Sequence, residues 1–131
     1  MCWSNYMVIP IVLKKPLRVY KVGTSTILGG FRSLYYNFVY HRFKVMPIVE
    51  INPEFTQYNT FSSLDKCRTR DTISIYEGYH SYLTKEIAKY NSGEYDDIGI
   101  FEIPAGSTRY VNYRYKEVVS TNIRYLGLLK E

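Results

Sequence analysis

Acidic residues are missing from the first 49 positions, cysteine is nearly absent, and no long apolar stretch occurs anywhere in the 131 residues. Each absence removes a class of protein. The two cysteines, Cys2 and Cys67, form no CxxC and stand beside no pair of histidines, so neither a disulfide framework nor a zinc site is expected. The longest apolar run, Met7 to Leu13, is seven residues and contains Pro10, whereas a helix that crosses a bilayer needs about 20 apolar residues. No membrane partner is expected. That run also lacks a basic lead and a small-residue cleavage site, which favours a cytoplasmic location over a secretory one. With 46% hydrophobic and 22% charged residues, the composition excludes disorder, collagen and coiled coil. A chain of this length buries roughly two-thirds of its unfolded surface and needs no metal staple, so residues 1–131 are expected to form a single domain.

What charge there is lies unevenly. Residues 1–49 carry Lys14, Lys15, Arg18, Lys21, Arg32, Arg42 and Lys44 against no acid, residues 50–102 carry five cations against ten acids, and residues 103–131 carry five against two. Two arrangements satisfy this: basic chain ends that meet in one face, or basic ends that pair with the acidic middle. A basic face would favour polyanions, nucleic acid included. Cys67, among Lys66, Arg68 and Arg70, has cations that would lower its pKa, yet a small half-buried residue is the expected role. Cys2 would become a terminal nucleophile if Met1 were removed, but no oxyanion hole is recognisable in the sequence.

Periodicity sets out the elements. Met7 to Leu13, interrupted by Pro10, reads as an edge strand or extended arm. Leu17 to Val22 alternates strictly, with Leu17, Val19 and Lys21 on one side, and reads as a strand ended by Gly23. Thr24 to Gly30 has the composition of a flexible loop and lacks the phosphate-loop spacing. Ser33 to Met46 is dense in aromatics and reads as one strand with Tyr36, Phe38 and Tyr40 on a common face. Pro53 to Thr60 reads as turn-like, Ser62 to Asp65 as a short capped turn, and Thr72 to Tyr76 as a strand. The clearest helix follows Thr84, its expected N-cap, with Glu86 in the first turn and Gly93 as its end. Ile98 to Ile103, Tyr110 to Val119 and Thr121 to Leu129 read as strands, with a tight turn at Pro104 to Ser107. The expected fold class is therefore α+β, a single mixed or antiparallel sheet with one or two short helices.

Four patches, Met1-Cys2-Trp3-Ser4, Glu77-Gly78-Tyr79-His80-Ser81-Tyr82-Leu83-Thr84, Ile103 to Ser107 and Glu117-Val118-Val119-Ser120, span most of the chain in order. Together they resemble a group of short proteins beginning Met-Cys-Trp from gut Bacteroidetes and their phages. The resemblance implies a bacterial or phage accessory protein, in the host cytoplasm or on the virion, and carries no activity with it. Tyr20 to Ser25, Gly78 to Thr84 and Ile103 to Gly106 are also similar to segments of ADP-ribosyltransferase-like domains. That similarity implies a cleft formed by Gly23, Tyr79, His80 and Glu117 that binds a nicotinamide dinucleotide. Lys21 and Val22 stand where that family places His or Arg, and Tyr115 stands where it places a second carboxylate, so catalysis is not expected to be retained.

Fifteen tyrosines are the compositional anomaly. Tyrosine is enriched at protein interfaces because it presents an apolar ring with a polar tip. Rings interleaved with cations, as in Tyr113-Arg114-Tyr115, also suit single-stranded nucleic acid, although strand alternation points them to opposite faces. The sequence therefore predicts a non-enzymatic interaction module. It would contact a protein partner or copies of itself through Tyr36, Tyr40, Tyr113, Arg114 and Tyr115, with nucleic acid a further alternative and no cofactor or metal.

Overall fold

A computed structural model describes residues 10–34, 39–46, 54–59, 69–74, 78–112 and 115–130, with backbone alone for 54–59 and 69–74. In chain order the strands are β1 (Ile11–Val12), β2 (Leu17–Ser25), β3 (Phe31–Ser33), β4 (Val39–Tyr40), β5 (Glu54–Asn59), β6 (Thr69–Ser74) and β7 (Tyr79–Tyr82). Helix α1 (Lys85–Tyr90) precedes β8 (Asp97–Ile103), β9 (Thr108–Asn112), β10 (Glu117–Ser120) and β11 (Arg124–Leu128). Every strand ladder is antiparallel. The fold is thus sheet-dominated. The expectation was α+β, a single mixed or antiparallel sheet with one or two short helices; the described residues form antiparallel sheet, in a nine-stranded and a two-stranded piece, with one helix of six residues, too little helix for a clear α+β mix.

Strand β2 organises the main sheet. Along one edge it pairs with β8 from Leu17↔Ile103 to Gly23↔Asp97, and β8 in turn pairs with β11. On its other edge it meets β7 at Tyr20↔Tyr82 and then β3 from Gly23↔Ser33 to Ser25↔Phe31. Strand β3 passes to β4, and single bridges Arg42↔Tyr125 and Val45↔Arg124 carry the pairing to β11. Backbone pairing therefore runs in a closed circuit, β2–β3–β4–β11–β8–β2. A branch leaves β2 through β7 to β10, β9 and β1; β5 and β6 form a separate two-stranded sheet.

The circuit encloses aromatic rings. Phe31 and Phe101 meet edge to face at 5.4 Å, as do Tyr40 and Phe101 at 5.0 Å, while Phe101 and Tyr125 lie tilted at 5.1 Å. Val19, Tyr79, Ile103, Val111, Val118 and Ile123 complete this core. On the opposite side of β2, Val22 and Tyr82 pack against Ala88 of α1. The helix is begun by Thr84, whose hydroxyl accepts the Ile87 N–H at 3.3 Å. Thr84→Ala should cost about 1 kcal/mol, measured by urea unfolding, because that N–H loses its acceptor. Unchanged stability would mean that water replaces the cap without loss.

Several sequence expectations require correction. Gly23 does not end its strand: β2 continues to Ser25 because Gly23 lets the Phe31 ring lie against the backbone. Ser33 to Met46 is not one strand. Phe31–Ser33 and Val39–Tyr40 fold back on each other, and a turn follows in which Phe43 takes a φ of 63°. Tyr110 to Val119 likewise forms a hairpin, since Asn112 Oδ1 accepts the Tyr115 N–H at 3.2 Å and Lys116 adopts a φ of 54°. The turn-like Pro53 to Thr60 contains β5, and the strand expected over Thr72 to Tyr76 is β6, at Thr69–Ser74. The capped turn expected at Ser62 to Asp65 lies outside the described residues, as do Cys2 and Cys67.

The charge pattern resolves at one place. Glu102 of β8 lies between Arg18 of β2 and Arg124 of β11 in register, with Arg124 Nη1 at 3.5 Å from its Oε1. Here an acid from the middle of the chain pairs with a cation from the last third, and a cation from the first third stands beside it in register. Exposed pairs of this kind contribute about 1 kcal/mol or less.

Candidate functional site

Of the residues expected to form an interface, the two described, Tyr40 and Tyr115, do not share a surface. Tyr40 is 1% exposed and lies inside the circuit, its ring 5.0 Å from Phe101 and 6.4 Å from Tyr79. It is corrected from an interface residue to a core residue, for a physical reason: β3–β4 pairing sets it opposite Phe31 on the enclosed face. Tyr36, Tyr113 and Arg114 lie outside the described residues. Tyr115 is 43% exposed in the turn between β9 and β10. Among the described tyrosines, Tyr40, Tyr79, Tyr82 and Tyr125 are buried, whereas Tyr90, Tyr95 and Tyr115 are exposed.

The alternative cleft is not assembled either. Glu117 pairs with Tyr82, and His80 shares the Tyr82 side of β7, so both lie toward the α1 side of the sheet. Tyr79 alternates to the other side and joins the enclosed core. Gly23 offers only backbone, because Phe31 fills the space beside it. Two of the four residues thus share a face and two do not. Among the described residues no group of three or more His, Cys, Asp or Glu side chains is placed to hold a metal ion, and no helix is long and apolar enough to cross a membrane.

Two features missed in the sequence stand out chemically. The first is the β2–β3 hairpin. Thr26 N–H donates to Gly30 O at 2.9 Å, Gly29 N–H to Thr26 O at 3.1 Å, and Gly30 N–H to Thr26 Oγ1 at 2.9 Å. These bonds turn a supposed flexible loop into an ordered tip. Ile27 and Leu28 sit on that tip fully exposed to solvent. Asp97 Oδ2 accepts the Ser25 N–H at 2.9 Å, so the loop before β8, with exposed Tyr95, leaves the sheet at the same end. The available signal was two adjacent aliphatic residues inside a segment otherwise composed of Thr, Ser and Gly.

The second is Lys21, buried on the face it shares with Val19. Its ammonium donates to the His80 carbonyl and lies 5.6 Å from the centre of the Tyr40 ring. Desolvation lowers its pKa from 10.5 to about 7, because water that would stabilise the cation is excluded. Burial also raises the Tyr40 pKa, with Tyr79 as a second cause, so the phenol beneath Lys21 stays neutral. Strict alternation had already set Lys21 beside Leu17 and Val19; that this side is the interior is a tertiary fact.

Fold and site together describe an antiparallel protein with a closed strand circuit, an ordered aliphatic hairpin tip and a buried amine. Comparison with known proteins supplies no relative: no family model, curated protein or solved structure matches the chain.

Proposed function

We propose that this protein is a non-enzymatic interaction module that docks on a protein partner through the tip of the β2–β3 hairpin. The bacterial or phage setting of this reading comes from the sequence resemblance. The carrying observation is the pair Ile27 and Leu28, held in water on a turn ordered by its own hydrogen bonds. Burying such a side chain is worth about 1.5–3 kcal/mol, which an isolated chain forgoes at this position. Ordering the tip in advance reduces the entropy lost on binding. Around it the same end of the sheet carries exposed Tyr95 and Glu94, and Arg32 is exposed on β3, the mixed polar rim typical of a protein interface. The displayed surface is thus aliphatic at its centre, with tyrosine at its edge.

The double variant Ile27→Ser, Leu28→Ser should keep its thermal midpoint, because neither side chain touches the core. Quantitative affinity capture from the native cell should show a specific partner reduced about 10-fold or more relative to wild type, the loss expected for a buried aliphatic anchor. The same partners at the same stoichiometry would overturn the reading. A sedimentation mass that falls to monomer only in the variant would overturn the hetero-partner in favour of self-association.

A further inference from the structure

The buried amine and the exposed tip belong to one strand. Lys21 lies on β2 one residue beyond Tyr20, at the point where that strand leaves β7 and takes up β3. The ring under its ammonium, Tyr40, pairs with Phe31, the first residue of β3 after the tip. The Tyr40 carbonyl lies so near Gly30 that a Cβ added there would stand 2.9 Å from it. Lys21, Tyr40 and the hairpin base are therefore packed as neighbours, with little room for one to move alone.

We infer that protonation of Lys21 loosens the base of the β2–β3 hairpin, so that proton activity regulates how the tip is presented. An ammonium carries three N–H donors, and the one acceptor seen for it is the His80 carbonyl. The elements packed around it offer no neutralising charge among the described residues. From β4 comes the Tyr40 ring, from β7 the His80 carbonyl and from β8 Gly99, its partner in register, while Phe31, Tyr79 and Phe101 belong to the core cluster that holds Tyr40 and Val19. The titratable groups in that set are the two phenols, whose pKa values burial raises. A cation there gains by reaching water, and the exit lies where β2 and β7 already part. Movement of Lys21 in that direction withdraws support from Tyr40 and hence from Phe31 at the foot of the hairpin.

Only the final step, control of docking, rests on the reading of the tip as the contact; the coupling of Lys21 to the hairpin stands separately. Lysine labelled with 13C at Cε and backbone 15N labels report both in one titration. The Lys21 signal should show a midpoint near 7. The amides of Thr26, Gly30 and Phe31 should shift with the same midpoint, and their exchange protection should be at least about 10-fold lower at pH 6.5 than at pH 8.5. In Lys21→Met, and in Lys21→Gln should the first variant fold poorly, those amides should lose this dependence. A Lys21 signal that stays protonated to pH 9, or one that titrates while the hairpin amides do not follow, would overturn the inference. The tip variant Ile27→Ser, Leu28→Ser should preserve the whole titration, so loss of docking alone leaves the coupling intact.

Discussion

Lys21→Met should stabilise the protein at pH 6 by up to about 5 kcal/mol, since one pKa unit corresponds to about 1.4 kcal/mol of differential interaction. The sign follows from the two states. In the unfolded chain Lys21 titrates at its ordinary value of 10.5, and in the folded protein at about 7. Below pH 7 both states hold the proton, so folding bears the whole cost of removing a cation from water. Between pH 7 and 10.5 the unfolded chain binds a proton that the folded protein has released, and stability rises with pH by about 1.4 kcal/mol per unit. Methionine has nearly the same length and no charge, and replacing a buried ion with an apolar side chain of similar volume is commonly neutral or stabilising. Urea unfolding at pH 6, 7.5 and 9 checks this. Wild type should gain stability across the series, and the variant should start higher and lose that slope. Parallel profiles for the two proteins would show that Lys21 keeps its ordinary pKa in the folded state, against the lowering that burial imposes.

How far the sequence reveals such features depends on whether the cause is local. The helix was legible because Thr84, Glu86 and the apolar positions after them act within two turns of backbone. Strand β2 was legible up to Val22 for the same reason, since alternation is a property of neighbours in the chain. The turns after Asn112 and at Phe43 were not, because both place a side-chain-bearing residue at positive φ, Lys116 in one and Phe43 in the other, where glycine would have signalled a break. Dense aromatic residues from Tyr35 to Phe43 favour extended backbone without stating where it reverses. Tyr40 illustrates the limit for function: a tyrosine is equally suited to an interface and to a core, and only the closure of β4 onto β11 through Arg42 and Val45 decided between them. The hairpin tip is the converse case, because Ile27 and Leu28 would ordinarily be assigned to an interior, and three short-range hydrogen bonds hold them outside it.

Gly23→Ala should destabilise the protein by about 3 kcal/mol or more, at or above the upper end of ordinary overpacking costs. An added Cβ would stand 2.1 Å from the Arg32 carbonyl oxygen and 2.8 Å from Phe31 Cε1. The first neighbour is backbone held in the β2–β3 ladder by the pair Gly23↔Ser33, so no rotamer change relieves it. Relief requires the ladder to open at its first pair, which also lifts Phe31 from Phe101 and Tyr125. The same substitution elsewhere separates this mechanism from a general intolerance of alanine. At Gly99 the nearest atoms are ring carbons, Phe101 Cε1 at 2.7 Å and Phe31 Cε2 at 3.0 Å, so the strain is shared by side chains and should cost less. At Gly29 nothing lies within 4 Å, and the φ of 81° leaves only the left-handed backbone penalty, about 1 kcal/mol. Denaturant midpoints should therefore fall in the order Gly29→Ala, Gly99→Ala, Gly23→Ala, with the last losing most. Equal losses at all three positions would refute close approach at the hairpin base as the reason for Gly23. Since Ile27 and Leu28 are presented by the ladder that Gly23 permits, its variant should also lose partner capture in proportion to the fraction unfolded.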